Sequence, residues 1–182
     1  MYNLMERRIR KRKGSRPLLK TRIIPALLTA LAVSILTFVL YHVGSSLSHI
    51  TGSSAILFAS FGASAFILFM MPRAKTARMG SFVKAYVMGT ILGVIGFYML
   101  SFIPFYLVVG IIIFVLTLAM YVANAEHPPA IGILLAFVLF KIDIYGVIIV
   151  VLGIVILLFL RVILERFVYI VEKDVVDEIE RR

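Results

Sequence analysis

Uninterrupted apolar runs constrain this chain more than any other feature of its sequence. Ile23–Val43 offers 21 residues without a formal charge, and Pro25 falls in its first turn, where a missing N–H is harmless. Phe82–Ile103 carries one charge, Lys84, near enough to an end for its long stem to reach the interface. Phe105–Ala123 follows directly on Pro104, a helix start signal, and Ile144–Leu160 is a fourth, shorter run. A bilayer core of about 30 Å takes roughly 20 apolar residues of helix. Composition agrees: 62% of the residues are apolar, against about 45–50% in soluble domains. A soluble fold of this size has too little interior to hide them. The fold class is therefore all-α, a polytopic transmembrane helical bundle.

Two further stretches are less regular. Ser53–Met71 is long enough to cross, but its centre, Ala59-Ser60-Phe61-Gly62-Ala63-Ser64-Ala65, is small and polar. Pro128–Phe140 has 13 residues, about 20 Å of helix at 1.5 Å per residue. Each reads as a re-entrant hairpin, a broken helix or a short crossing sheltered by neighbours. Charge helps to choose. The net +10 is concentrated: residues 1–22 carry +8, and Arg73, Lys75, Arg78 and Lys84 supply +4. Cytoplasmic loops are enriched in Lys and Arg. Both clusters belong inside and the uncharged Val43–Gly52 outside, so Ser53–Met71 has to cross. Continuing the alternation puts Ser101–Pro104 outside and Asn124, Glu126 and His127 near the cytoplasmic face. The expectation is six membrane segments in a multi-pass cell-membrane protein with both termini cytoplasmic. Four full spans plus two re-entrant or short helices is the alternative. In the six-segment arrangement each half has its irregular element in the middle. That is the pattern of a 3+3 inverted repeat, whose discontinuous helices mark a substrate site near the midplane.

The chain divides into a polybasic cytoplasmic N-terminus (1–22), a membrane domain (23–164) and a charged amphipathic cytoplasmic helix (165–182). The N-terminus suits anionic lipid headgroups, each basic residue contributing about 1 kcal/mol, and orientation in the membrane accounts for it without nucleic acid. The apolar stretch after it is too long for a cleavable signal peptide. In the tail, Asp177–Arg181 and Glu178–Arg182 are spaced for helical ion pairs. Ala85, Gly89 and Gly93, with Gly96 nearby, form a strip that lets another helix approach closely, from this chain or from a second copy in a homo-oligomer. Tyr41, Phe102, Tyr106, Tyr121, Tyr145 and Tyr169 fall near predicted helix ends, as an interfacial belt does.

Polar groups within the membrane are costly and therefore informative. Here they are Ser60, Ser64, Asn124, Glu126 and His127, with Lys84 and Asp143 at the margins. The absence of cysteine excludes disulfides, thiolate metal sites and thiol catalysis. No carboxylate pair has catalytic spacing, one His beside one Glu is no metal site, and nothing around Ser60 or Ser64 resembles a nucleophile elbow. The reading is a non-enzyme without metal or cofactor.

His127-Pro128-Pro129 follows a membrane helix, and Phe61-Gly62-Ala63-Ser64-Ala65 stands about sixty residues earlier. Together they resemble the HPP family of integral membrane proteins, over roughly Ser53 to Phe140. The chain departs from the family pattern at Glu126, at Ala130-Ile131-Gly132-Ile133 and between Lys75 and Phe82. The resemblance implies a small polytopic protein, and members in photosynthetic organisms are implicated in nitrite transport. It points to a transporter or channel for a small solute, a small anion such as nitrite; the other reading is a non-transporting scaffold or regulatory subunit. Physics adds an argument for an anion. A helix starting at Pro128-Pro129 aims the amides of Ala130 and Ile131 back toward His127. Gly62 lets backbone approach a ligand, and the serines add hydroxyl donors. The expected site has Ser60, Phe61, Gly62, Ala63 and Ser64 on one side and His127, Pro128, Pro129 and Ala130 on the other. His127 serves there as donor or proton-coupled switch. The plainer account is that Gly62 and Ala63 allow tight packing and the prolines turn the chain.

Overall fold

The computed structural model describes residues 18–46, 54–140, 142 and 145–180. Six α-helices appear among them: α1 (Leu18–Ser46), α2 (Ser54–Met70), α3 (Met79–Met99), α4 (Phe105–Val122), α5 (Ala130–Leu139) and α6 (Tyr145–Glu180). A single 3-10 turn, Lys75–Ala77, interrupts the connection from α2 to α3. The polybasic residues 1–17 and the tail's charged side chains lie outside the described residues, although α6 continues as one helix of 36 residues to Glu180.

Four helices are long and apolar enough to cross a membrane, through Pro25–Val43, Met79–Met99, Phe105–Val122 and Gly146–Leu164. Their outer faces are apolar and exposed. Leu27, Leu31 and Phe38 on α1, Val87 and Ile91 on α3, Leu107, Phe114 and Leu118 on α4, and Val151, Val155 and Phe159 on α6 all face outward. So much exposed hydrocarbon calls for lipid as solvent. The two remaining helices are shorter, with 17 residues in α2 and 10 in α5. The expected six full spans give way to four long helices and two short ones. α5 covers about 15 Å at 1.5 Å per residue, half of a hydrocarbon core. It can be this short because it is the centre of the bundle: Ala130, Ile133, Leu134, Ala136, Phe137 and Val138 are all buried. A helix sheathed by protein need not match the thickness of the bilayer.

The glycine strip is what admits α5. A Cβ on Gly89 would stand 2.8 Å from the Ala130 carbonyl oxygen, and one on Gly93 3.0 Å from the Phe137 ring. The strip's partner therefore lies within the chain, and α3 against α5 is the most extensive helix contact in the fold. On the other side of the core Phe61 of α2 occupies the space above Gly153 of α6. The close pairs are α1 with α2 and α6, α2 with α5 and α6, α3 with α4, α5 and α6, and α4 with α5. Exchanging the first three helices for the last three, in order, returns the same set of pairs. It also exchanges Phe61 on Gly153 for Phe137 on Gly93.

The centre of α2 is not an interruption. Ala59–Ala65 is continuous helix, as the high helix propensity of alanine favours, and Ser60 Oγ turns back to donate to the Ile56 carbonyl at 2.8 Å.

Candidate functional site

α4 ends because Asn124 adopts a left-handed conformation, φ 50°, which asparagine tolerates better than most side chains. The Ala125 N–H donates to Met120 O at 2.9 Å and that of Asn124 to Tyr121 O at 3.1 Å, the paired closure of a Schellman motif. The reversal separates the next two side chains. Glu126 turns outward to Lys75 (2.9 Å), and His127 turns inward, where it is wholly buried.

His127 is held at both ring nitrogens. Nδ1 lies 2.8 Å from the Thr76 carbonyl oxygen, which can only accept, so Nδ1 carries a proton. Nε2 lies 2.8 Å from Ser64 Oγ on α2. Ser64 Oγ also lies 2.7 Å from Tyr86 Oη on α3, and Tyr86 donates to the Ser60 carbonyl at 3.1 Å. The rings of Phe82 and Tyr86 flank the imidazole at centroid distances of 5.2 and 5.7 Å. His127 belongs to the connection between α4 and α5. Burial pushes its imidazole below the ordinary value of 6.5, and the bond to Thr76 pulls it part of the way back.

The connection that supplies Thr76 is gripped residue by residue. Lys75 pairs with Glu126, Thr76 O meets His127, and Ala77 O accepts from Arg161 Nη1 of α6 at 2.8 Å. The same Nη1 donates to Leu68 O at 3.2 Å. In a continuing helix that carbonyl would accept from residue 72, which is Pro72 and has no N–H. Arg161, buried near one end of the long apolar stretch of α6, supplies the missing donor. Arg73, Lys75, Arg78 and Lys84 all sit at this end of the bundle, the basic end, on or beside the gripped connection.

The chain matches HPP, transmembrane region, over residues 15–172. It belongs to the HPP family. No curated protein and no solved structure matches it. Family membership and the apolar sheath make this HPP protein a multi-pass membrane protein in contact with the lipid bilayer. Among the described residues no cluster of three or more His, Asp or Glu side chains gathers that could hold a metal.

In this HPP structure some of the residues expected to form a site meet and others do not. Ser64 and His127 are in direct hydrogen-bond contact, and Ser60 joins them through its carbonyl and Tyr86. Ser60 Oγ fills the space beside Gly132 of α5, where a Cβ would collide with it. Phe61 is buried against Tyr86 at 5.3 Å between ring centroids, and Ala130 is buried against α3. Gly62 and Ala63 point elsewhere: a Cβ on Gly62 would meet nothing within 4 Å, and Ala63 is exposed. Pro128 is exposed and Pro129 half-buried. The expected pair of helix ends with free amides is not formed. The N–H groups of Ala130, Ile131 and Gly132 close on the carbonyls of His127, Pro128 and Pro129 at 3.0 Å each. Tyr86, the Thr76 carbonyl and Arg161 were not anticipated. Of these, Tyr86 left a signal: a phenolic hydroxyl eight residues into a membrane helix needs a partner.

Proposed function

We propose that the chain carries a small solute across the membrane, with Ser64 and His127 as its polar contacts. The observation behind this reading is the buried imidazole–hydroxyl contact where α2 meets the start of α5. Ionisable groups enclosed by a membrane bundle are expensive and mark solute or proton paths. A small anion such as nitrite is the finer reading. The basic end draws anions by its field, and by the positive-inside rule it faces the cytoplasm, with basic residues 1–22 on anionic headgroups. The contact pattern that survives exchange of the two halves supports a 3+3 inverted repeat, the architecture of rocking carriers. The test is flux into proteoliposomes of nitrite, nitrate and formate. Saturable uptake of at least one, lost in His127→Ala, is expected; uptake no faster than in protein-free vesicles would overturn the reading.

A second reading, a scaffold or regulatory subunit without transport, draws on the packing itself. Ser60 Oγ fills the gap at Gly132, Phe61 sits on Gly153 and Phe137 on Gly93. This interlocked interior fits a static role more directly than it fits an open path. Absence of flux for every anion, from protein that keeps its fold, favours it.

A further inference from the structure

We infer that His127, Ser64, Tyr86 and the Ser60 carbonyl form a proton-binding chain, complete only when His127 carries a second proton. The inference rests on hydrogen counting and holds whether or not a solute is carried. Four contacts run in line: Thr76 O to Nδ1 (2.8 Å), Nε2 to Ser64 Oγ (2.8 Å), Oγ to Tyr86 Oη (2.7 Å) and Oη to Ser60 O (3.1 Å). Each needs one hydrogen. Both ends are carbonyl oxygens, which only accept. With a neutral imidazole the chain owns three hydrogens, on Nδ1, Ser64 and Tyr86. If Ser64 donates to Nε2 and Tyr86 to Ser60 O, the short Oγ–Oη contact is left without a hydrogen. If Ser64 donates to Nε2 and Tyr86 to Ser64, the longer contact to Ser60 O, 3.1 Å, is left empty; if Ser64 donates to Tyr86, two lone pairs face each other at Nε2. One contact is always empty.

A proton from water at the basic end, bonding to the Nε2 lone pair, removes the conflict. Nε2–H then donates to Ser64, Ser64 to Tyr86 and Tyr86 to Ser60 O, each hydroxyl pointing away from the imidazolium. No covalent bond in the protein breaks, and the site gains one positive charge. The ring centroids of Phe82 and Tyr86, 5.2 and 5.7 Å away, lie within the range at which an aromatic face attracts a cation. The other groups around the site are few. Arg161 of α6 opposes the charge, as do Arg73, Arg78 and Lys84 at this end, and Glu126 favours it, its partner Lys75 offsetting most of that help; α5 offers no ionisable side chain. The chain ends at Ser60, whose hydroxyl touches Gly132, so the proton state of a connection at the basic end reaches the crossing of α2 and α5.

Histidine nitrogen NMR on the full chain in phosphatidylcholine–phosphatidylglycerol nanodiscs, without added anion, reads the site directly. Above pH 8, His127 is expected as the Nδ1–H tautomer, the rarer form in water, and on acidification it takes one proton at Nε2. In Tyr86→Phe the midpoint falls by about one pH unit, a tenfold loss of proton affinity, because one hydrogen bond of the charged form is gone. A neutral Nε2–H tautomer in the native chain, which needs no variant to detect, would overturn the inference. So would an unchanged His127 midpoint in folded Tyr86→Phe. Neither result bears on flux, so this inference and the transport reading fail separately.

Discussion

At the scale of single residues, burial of a neutral imidazole makes the folded protein sensitive to acid. His127 has a folded value below 6.5, so as pH falls the unfolded chain takes the proton first. Its contribution to stability is complete above about pH 6.5 and is lost as pH falls from there toward the folded value. Melting temperatures in detergent should be level from pH 8 to 7 and decline below about 6.5, and His127→Gln should flatten that decline. Parallel curves for the two proteins would contradict this. Arg161 gives a second prediction at this scale. Arg161→Met removes the donor to the Leu68 and Ala77 carbonyls and should cost about 1.5–3 kcal/mol, the range for hydrogen bonds to a charged group. Equilibrium unfolding in a graded detergent series measures it. The residue scale is also where the sequence was least legible. His127 and Ser64 stood out as polar groups in apolar surroundings, and the two motifs suggested that they meet. Thr76 and Leu68 act through backbone carbonyls, which have no side-chain signature. Arg161 was not among the residues singled out, because nothing local ties it to a carbonyl 93 residues earlier.

The helices depend on which face each presents to a neighbour. A Cβ at Gly89 runs into the Ala130 backbone, which cannot swing aside as a side-chain tip can. Gly89→Ala should therefore push α5 off α3 and destabilise by about 1–3 kcal/mol. Gly62→Ala adds a methyl where nothing lies within 4 Å; it should be neutral or stabilising by up to about 1 kcal/mol, since alanine is the better helix former. Thermal denaturation of the two variants side by side checks the contrast, and equal losses would show that the α3–α5 contact is misdescribed. The four long helices were readable because lipid demands long apolar runs. The short pair was harder, because its lengths are set by protein neighbours far away in sequence, as Gly89 is from Ala130 and Gly153 from Phe61, rather than by the bilayer. The small residues of α2 were the misleading signal. They looked like a break in the helix, yet Ala59–Ala65 is continuous helix, and only some of them, Ser60 beside Gly132 among them, face α5.

For the whole molecule, the arrangement places the 71–78 connection, the start of α5 and Arg161 at one end, and the 100–104 turn at the other. The chain has no cysteine, so single-cysteine variants report topology without background. Arg78→Cys should react with an impermeant maleimide only from the cytoplasmic side and Ser101→Cys only from outside; reaction of both from one side would contradict the orientation. Transport, as proposed above, depends on the buried His127–Ser64 contact. Simultaneous recording of nitrite uptake and internal pH in proteoliposomes tests it most directly. Uptake that acidifies the vesicle interior is expected, with both signals lost in His127→Ala. Uptake that is indifferent to His127, or none above protein-free vesicles, would contradict it.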